Sequence, residues 1–207
     1  KERMEKGGPF MTTSCCPAYI QAARRLMPEL TPHISDTPTP MHFTAEMIKT
    51  KNPRNLTVFI GPCVAKRKEA LEDSCVDFVM TFDELEALFD AAGIVPANCE
   101  PAELRNEPSA DGRGFAVSGG VAAAVKAAMG EECEVKAFCI NGLSKAAIAQ
   151  LRAYAKNGAP WDLIEVMTCP GGCISGAGVA VRDKRAKDGV EKLVAESRPI
   201  AEKLKEI

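Results

Sequence analysis

The feature that most constrains this chain is the stretch 165–178, EVMTCPGGCISGAG, in which Cys169 and Cys173 flank a Pro-Gly-Gly turn. A strand-like apolar run at 162–167 delivers the chain to Cys169, and the glycines around Cys173 let backbone approach whatever the sulfurs hold. Thiolates suit soft metals and iron–sulfur clusters, yet two sulfurs cannot complete a tetrahedral site or a cubane. The rest of the chain must supply more thiols, so its fold has to gather distant loops.

Two other places offer them. Cys15 and Cys16 lie in TSCCPAY, where Pro17 opens a helix and the helix N-terminus favours thiolate. Cys63 lies in FIGPCVAKRKEA, after an apolar strand at 56–60 and before a Lys-rich helix at 64–71. The remaining cysteines, Cys75, Cys99, Cys133 and Cys139, lack Gly or Pro loop context and are expected to be bystanders packed as small hydrophobes. Nine cysteines form no even framework, and an adjacent pair with a Gly-flanked C-x-x-x-C points to metal ligation in a reducing, cytoplasmic compartment. A net charge of -2 argues for neither nucleic acid nor a membrane surface, no apolar run reaches the length of a spanning helix, and no signal peptide opens the chain.

Between the thiol motifs, strand and helix patterns alternate. A charged stub at 1–8 leads to a helix at 17–27, a proline-rich loop at 31–40 and a short helix at 44–50. A buried strand at 56–60, the helix at 64–71 and a strand at 75–80 follow, and Thr81 with Glu84 forms a capping box for a helix ending at Gly93. Residues 94–114 form a surface excursion, and an apolar segment at 114–117 with a tight turn at 118–120 precedes an alanine-rich helix at 121–129. A strand at 135–140, a helix capped by Ser144 and a tail interrupted by Pro199 complete the pattern. Such alternation predicts an α/β protein with mostly parallel sheets flanked by helices. His33 and His42 show no evident partner and are expected to be surface or loop residues.

Three motifs in this order, TSCCPAY, GPCVAKRKE and EVMTCPGGC, resemble the signature motifs of the catalytic domain of [FeFe]-hydrogenases, with weaker echoes in TFDELEALFDAAGI, SGGVAAAV and FCINGLSKA. The resemblance implies that residues 1–207 form the C-terminal portion of a two-lobed iron-only hydrogenase catalytic domain. It also implies an upstream part that walls the active site and supplies glutamates of a proton path. By the same resemblance Cys16, Cys63, Cys169 and Cys173 ligate a [4Fe-4S] cluster, and Cys173 bridges to a two-iron subsite carrying carbon monoxide, cyanide and a dithiolate. Cys15 matches the thiol that passes protons, Ser35 a further relay group, Lys66 the lysine that hydrogen-bonds a cyanide, and Met167 a methionine near the two irons. The implied activity is reversible reduction of protons to H2. The implied partners are a ferredoxin or accessory iron–sulfur domains, and maturation proteins that deliver the two-iron subsite.

Each assignment has a plainer counterpart. Four thiolates can hold structural zinc, although zinc sites usually show paired C-x2-4-C knuckles. A helical lysine is ordinarily solvated, a methionine ending an apolar strand is ordinarily core, Cys15 can be a buried thiol beside a ligand, and Ser35 can serve a turn. The chain also departs from the family: Gly61 replaces a methionine, Gly176-Ala-Gly178-Val-Ala replaces Gly-Gly-Gly-Gln-Pro, and Met41 replaces a glutamine. These positions tune a site rather than ligate it, and they are compatible with a sensory hydrogenase. Hydrogenase-like cluster-assembly proteins form an iron–sulfur alternative without turnover. They lack the proton-passing thiol that Cys15 matches.

Overall fold

The computed structural model describes residues 8–104, 107–130, 134–181, 184–203 and 205. Most of the charged stub at 1–8, together with Cys133, lies outside the described residues.

Two parallel sheets carry the architecture. In the larger, β1 (Met11–Thr12) and β4 (Ala137–Asn141) flank β5 (Leu163–Met167), with Met11 and Ala137 both opposite Leu163. Every residue of β5 is buried, as a central parallel strand covered on both faces requires. In the smaller, β2 (Val58–Ile60) pairs with β3 (Phe78–Met80). Helices flank both, so the α/β, parallel expectation holds.

Helix α1 (Pro17–Leu26) starts at Pro17 as expected and turns Tyr19, Ala23 and the following Met27 into the main core. The Tyr19 hydroxyl donates to Thr12 Oγ1 at 2.7 Å, tying α1 to β1. Helix α2 (Pro40–Lys51) begins earlier than predicted, because Thr39 accepts the His42 N–H and Pro40 takes the first helical position. A 3-10 turn, Pro28–His33, also occupies part of the predicted loop. Helix α3 (Lys66–Glu72) starts two residues late, and β3 takes only the end of the strand predicted at 75–80. There, side chains satisfy the backbone in place of a ladder: Asp73 Oδ1 accepts the Cys75 N–H, and Asp77 Oδ2 accepts the Thr57 N–H.

The predicted buried strand at 56–60 is a half-exposed β2. Met41 and Ala45 of α2 pack with Phe59 and Val79 on one face of the small sheet, while Val58, Ile60 and Phe78 alternate onto the open face. Helix α4 (Phe82–Ala91) has the predicted capping box, with the Thr81 N–H donating to Glu84 Oε2 at 2.8 Å. A helical turn, α5 (Ala110–Gly114), stands where a surface excursion ran into an apolar segment. Helix α6 (Gly120–Met129) and the Ser144-capped α7 (Lys145–Asn157) follow, and the tail forms α8 (Lys184–Ala195) and α9 (Ile200–Lys203) around Pro199.

Candidate metal centre

Each thiol loop leaves the carboxyl end of a parallel strand, the edge at which α/β sheets place their ligands. Cys15 and Cys16 follow β1, Cys63 follows β2, and Cys169 and Cys173 follow β5. Parallel pairing of β1 with β5 sends the first and third loops off the same edge. The third loop then crosses to the smaller sheet. The Gly178 N–H donates to the Pro62 carbonyl at 2.9 Å, and the Phe82 N–H donates to the Gly178 carbonyl at 3.0 Å. A Cβ on Gly176 would stand 2.4 Å from the Pro62 oxygen, so only glycine permits this approach. The Pro-Gly-Gly turn is clamped as tightly: Asn141 Oδ1 accepts the Gly171 N–H and, at 2.9 Å, the Ser118 hydroxyl.

The thiols share one electrostatic environment. Burial pushes the Cys173 thiol up to about 12, and repulsion from Cys16, Cys63, Cys15 and Cys169 adds to it. Cys169 is raised by burial and then by Cys16 and Cys63. Burial opposes the pull of the helix N-terminus on Cys15. Burial pushes that thiol up to about 11, with Cys16 and Glu165 adding, against the opposing influence of Thr13 and Lys66. Cys16 is buried and Cys15, Cys63, Cys169 and Cys173 are half-buried, and thiolates that repel one another at such a place fit a cationic metal group. A single tetrahedral zinc would hold four sulfurs within about 3.8 Å of one another. Among the described residues, His42, Asp73 and Cys75 are the only group of three such donors within 4.8 Å of one another, so the thiols are not gathered as closely as the ligands of a single ion.

Lys66 is 8% exposed, unlike a solvated helical lysine. Its ammonium donates to Glu69 Oε2 at 2.7 Å, lies 5.8 Å from the Phe59 ring centroid, and acts electrostatically on Cys15. Met167 is buried at the end of β5, and Met41 is buried beneath the small sheet. Ser35 lies on a neighbouring cavity of about 530 Å³ with Ser14, Thr37 and Glu69; its N–H donates to the Thr12 carbonyl, and its hydroxyl accepts the Thr37 N–H at 3.2 Å.

Glu165 was missed by the motif reading. It is fully buried on β5, and its two oxygens accept the Gly119 N–H at 2.7 Å and the Ala122 N–H at 2.8 Å, anchoring the start of α6. A lone carboxylate inside the apolar run LIEVM was the available signal, because a buried charge must find donors. Both histidines have partners, contrary to expectation: His33 stacks on Phe10 at 4.1 Å, and His42 Nδ1 lies 2.8 Å from Asp73 Oδ2. Cys75 packs against the Met41, Ala45 and Val76 cluster and lies within 4.8 Å of donor atoms of His42 and Asp73, and Cys139 sits against Glu165.

Thiol loops gathered at the strand ends of a two-sheet α/β fold are the arrangement of a protein that holds a metal centre on sulfur. The chain belongs to the family described as iron only hydrogenase large subunit, C-terminal domain, whose model matches residues 1–177. It is 30% identical over 226 residues to iron hydrogenase 1 of Clostridium pasteurianum, covering 86% of this chain and 39% of that protein. It is 27% identical over 215 residues to the periplasmic [Fe] hydrogenase large subunit of Nitratidesulfovibrio vulgaris, covering 82% of this chain and 51% of that protein. The chain thus spans about half or less of the length of these relatives. A solved variant of the [FeFe]-hydrogenase of Chlamydomonas reinhardtii superposes with a TM-score of 0.72 at 22% identity, over 95% of this chain and 69% of that one, which is a likeness of fold. Among the described residues no helix is long and apolar enough to cross a membrane.

Proposed function

We propose that this chain is the C-terminal part of an iron-only hydrogenase catalytic domain, with a [4Fe-4S] cluster on Cys16, Cys63, Cys169 and Cys173. Cys173 would also hold a two-iron subsite carrying carbon monoxide, cyanide and dithiolate ligands. The observation that carries the reading is the convergence of three strand-end loops on one set of electrostatically coupled thiols, Cys16 buried and the others half-buried, with Cys173 pushed up to about 12 by burial and by its neighbours. When bound, the two-iron group supplies reversible reduction of protons to H2.

The residues of the chain have separate tasks. Cys15 holds and moves a proton at Sγ, and Ser35 continues the relay toward the cavity it lines. Lys66 keeps a buried ammonium whose three N–H donors are only partly used by Glu69, which leaves capacity for a cyanide nitrogen. Met167 closes one wall. The Gly171 and Gly172 turn, with φ of 89° and 101°, packs against Ser175 and the 116–118 backbone and so would fix Cys169 and Cys173 where they hold the cluster. A ferredoxin or accessory iron–sulfur domains exchange electrons with the cluster, maturation proteins deliver the two-iron group, an upstream segment completes the wall, and the protein works in the reducing cytoplasm.

One observation favours a second reading, an iron–sulfur protein without turnover. The chain is 35% identical over 92 residues to a cytosolic Fe-S cluster assembly factor of Kluyveromyces lactis, covering 42% of this chain and 19% of that protein. A sensory hydrogenase would use the same residues at a lower rate. Anaerobic reconstitution of the full-length protein, iron and sulfide analysis, and infrared spectroscopy after maturation decide between these. Carbon monoxide and cyanide bands are expected. A cluster without bands favours the second reading, and a cluster that survives Cys16→Ala overturns the ligand assignment.

A further inference from the structure

Beyond the thiol loops, we propose that His42, Asp73 and Cys75 form a second metal site, for one divalent ion of borderline softness such as Zn2+. The three side chains offer ligand atoms within 4.8 Å of one another, and they come from different places in the chain. His42 lies in the first turn of α2, whereas Asp73 and Cys75 lie in the turn between α3 and β3. Asp73 orients this turn through one oxygen and presents the other. Its Oδ1 accepts the Cys75 N–H at 2.8 Å, and its Oδ2 lies 2.8 Å from His42 Nδ1.

A histidine–aspartate hydrogen bond accounts for two of these groups, and packing against Met41, Ala45 and Val76 accounts for the Cys75 side chain without its nearness to the other two. A metal ion accounts for all three. Ligands of tetrahedral zinc stand about 3.3–3.8 Å apart, so the pair opens by about 0.5 Å, and the thiol, within 4.8 Å of both, closes by at most about 1.5 Å to receive it. The ion binds Nδ1 of a neutral imidazole, whose single proton then sits on Nε2, and the proton of the Cys75 thiol leaves to solvent. Glu46 Oε2, 3.9 Å from Nε2, is placed to receive that proton after a small rotation, the carboxylate–histidine–metal relation that orients metal ligands.

Donor chemistry selects the ion. A thiolate disfavours Mg2+ and Ca2+, and a carboxylate with an imidazole disfavours Cu(I), which leaves Zn2+ or a similar divalent metal. His42 and Asp73 line the cavity of about 530 Å³ together with Glu69 and Glu72, which favour a cation, and Arg24, which opposes one. All three ligands are half-buried, so an ion can enter from this cavity and keep a solvent molecule as its fourth ligand. Such a site clamps α2 to the α3–β3 turn. It is independent of the cluster assignment.

The test is zinc binding by the full-length protein after its iron–sulfur site has been filled, so that the four-thiol set does not compete. One equivalent of ZnCl2 is added, excess is removed, and bound zinc is counted and probed by zinc K-edge absorption. The expected result is one zinc per chain with a single sulfur at about 2.3 Å and the remainder nitrogen or oxygen at about 2.0–2.2 Å. Cys75→Ser, nearly isosteric, removes the sulfur from the spectrum. His42→Gln, which can still hydrogen-bond Asp73, weakens binding by about tenfold or more. Both variants keep their iron content. No retained zinc, a four-sulfur environment, or zinc unaffected by either substitution overturns the proposal.

Discussion

Gly172→Ala and Gly158→Ala form a matched pair that isolates the steric demand of the Pro-Gly-Gly turn. Gly172 has φ 101° and ψ -164°, and Gly158 has φ 84° and ψ 163°, a region that side chains other than glycine hardly enter. The backbone strain of an added methyl is therefore similar at both, about 1–3 kcal/mol. Their surroundings differ. At Gly158 a Cβ meets nothing within 4 Å, whereas at Gly172 it would stand 2.6 Å from the Ala116 oxygen, 2.6 Å from the Ser118 nitrogen and 2.9 Å from the Val117 carbonyl carbon. All three are backbone atoms, and they are braced by the Ser118 N–H on the Gly171 carbonyl and the Ile174 N–H on the Ala116 carbonyl. Relieving the overlap means moving one strand of this contact, at an added cost of about 1–3 kcal/mol. Urea unfolding should therefore place Gly172→Ala below Gly158→Ala by that difference. Iron uptake should fall only in Gly172→Ala, because the displaced segment carries Cys173. Equal stabilities and equal iron contents would refute the reasoning.

Two further outcomes follow from the charges and the proton path. The Lys49 ammonium and the Thr57 N–H hold Asp77 down to about 2, and the Thr81 N–H and Arg67 hold Glu84 down to about 2. Both carboxylates bind protons more weakly folded than unfolded, so their stabilisation is complete above about pH 4–5 and is lost as pH falls toward about 2. Thermal melts of Asp77→Asn/Glu84→Gln should show a shallower loss of stability across that window than the parent, and an unchanged slope would contradict the assignment. Cys15→Ala should retain iron and the infrared bands while lowering H2 turnover by about 10²–10⁴-fold, the scale of a lost acid–base group. Near-normal turnover would place the proton path elsewhere, and loss of the cluster would make Cys15 a ligand.

The thiol loops were legible because they announce themselves locally. Pro17 opens α1, Thr81 and Glu84 cap α4, and an apolar run enters Cys169, all effects of chemistry within a few residues. What the sequence concealed depends on groups distant along the chain. Residues 75–77 have strand-like composition, yet Asp77 and Thr57, twenty apart, satisfy each other through side chains and shorten the ladder. His42 lacks a partner within its own helix except Glu46 and finds Asp73 only when α2 packs beside α3. Burial of Lys66 was equally hidden, since a helix with charges at 66, 67, 68 and 69 shows no apolar stripe that would mark its inner face. Cys15 exposes a limit of motif logic, because the helix N-terminus is present while burial and nearby negative charge dominate its protonation.

The departure at Gly61 gains a physical account from its neighbours. A Cβ at that position would stand 2.7 Å from Phe59 Cε1, so the Phe59 ring already occupies the space into which a side chain at 61 would project. The same ring lies 5.8 Å from the Lys66 ammonium, within the range of a cation–π attraction, while Glu69 holds that ammonium from another direction. A methionine at 61 and this ring position exclude each other unless the Phe59 side chain swings away. Gly61 and Phe59 therefore act as one unit: removing the side chain at 61 frees the place from which an aromatic ring helps position the buried lysine. The contact of Phe59 with Lys66 is thereby electrostatic as well as steric.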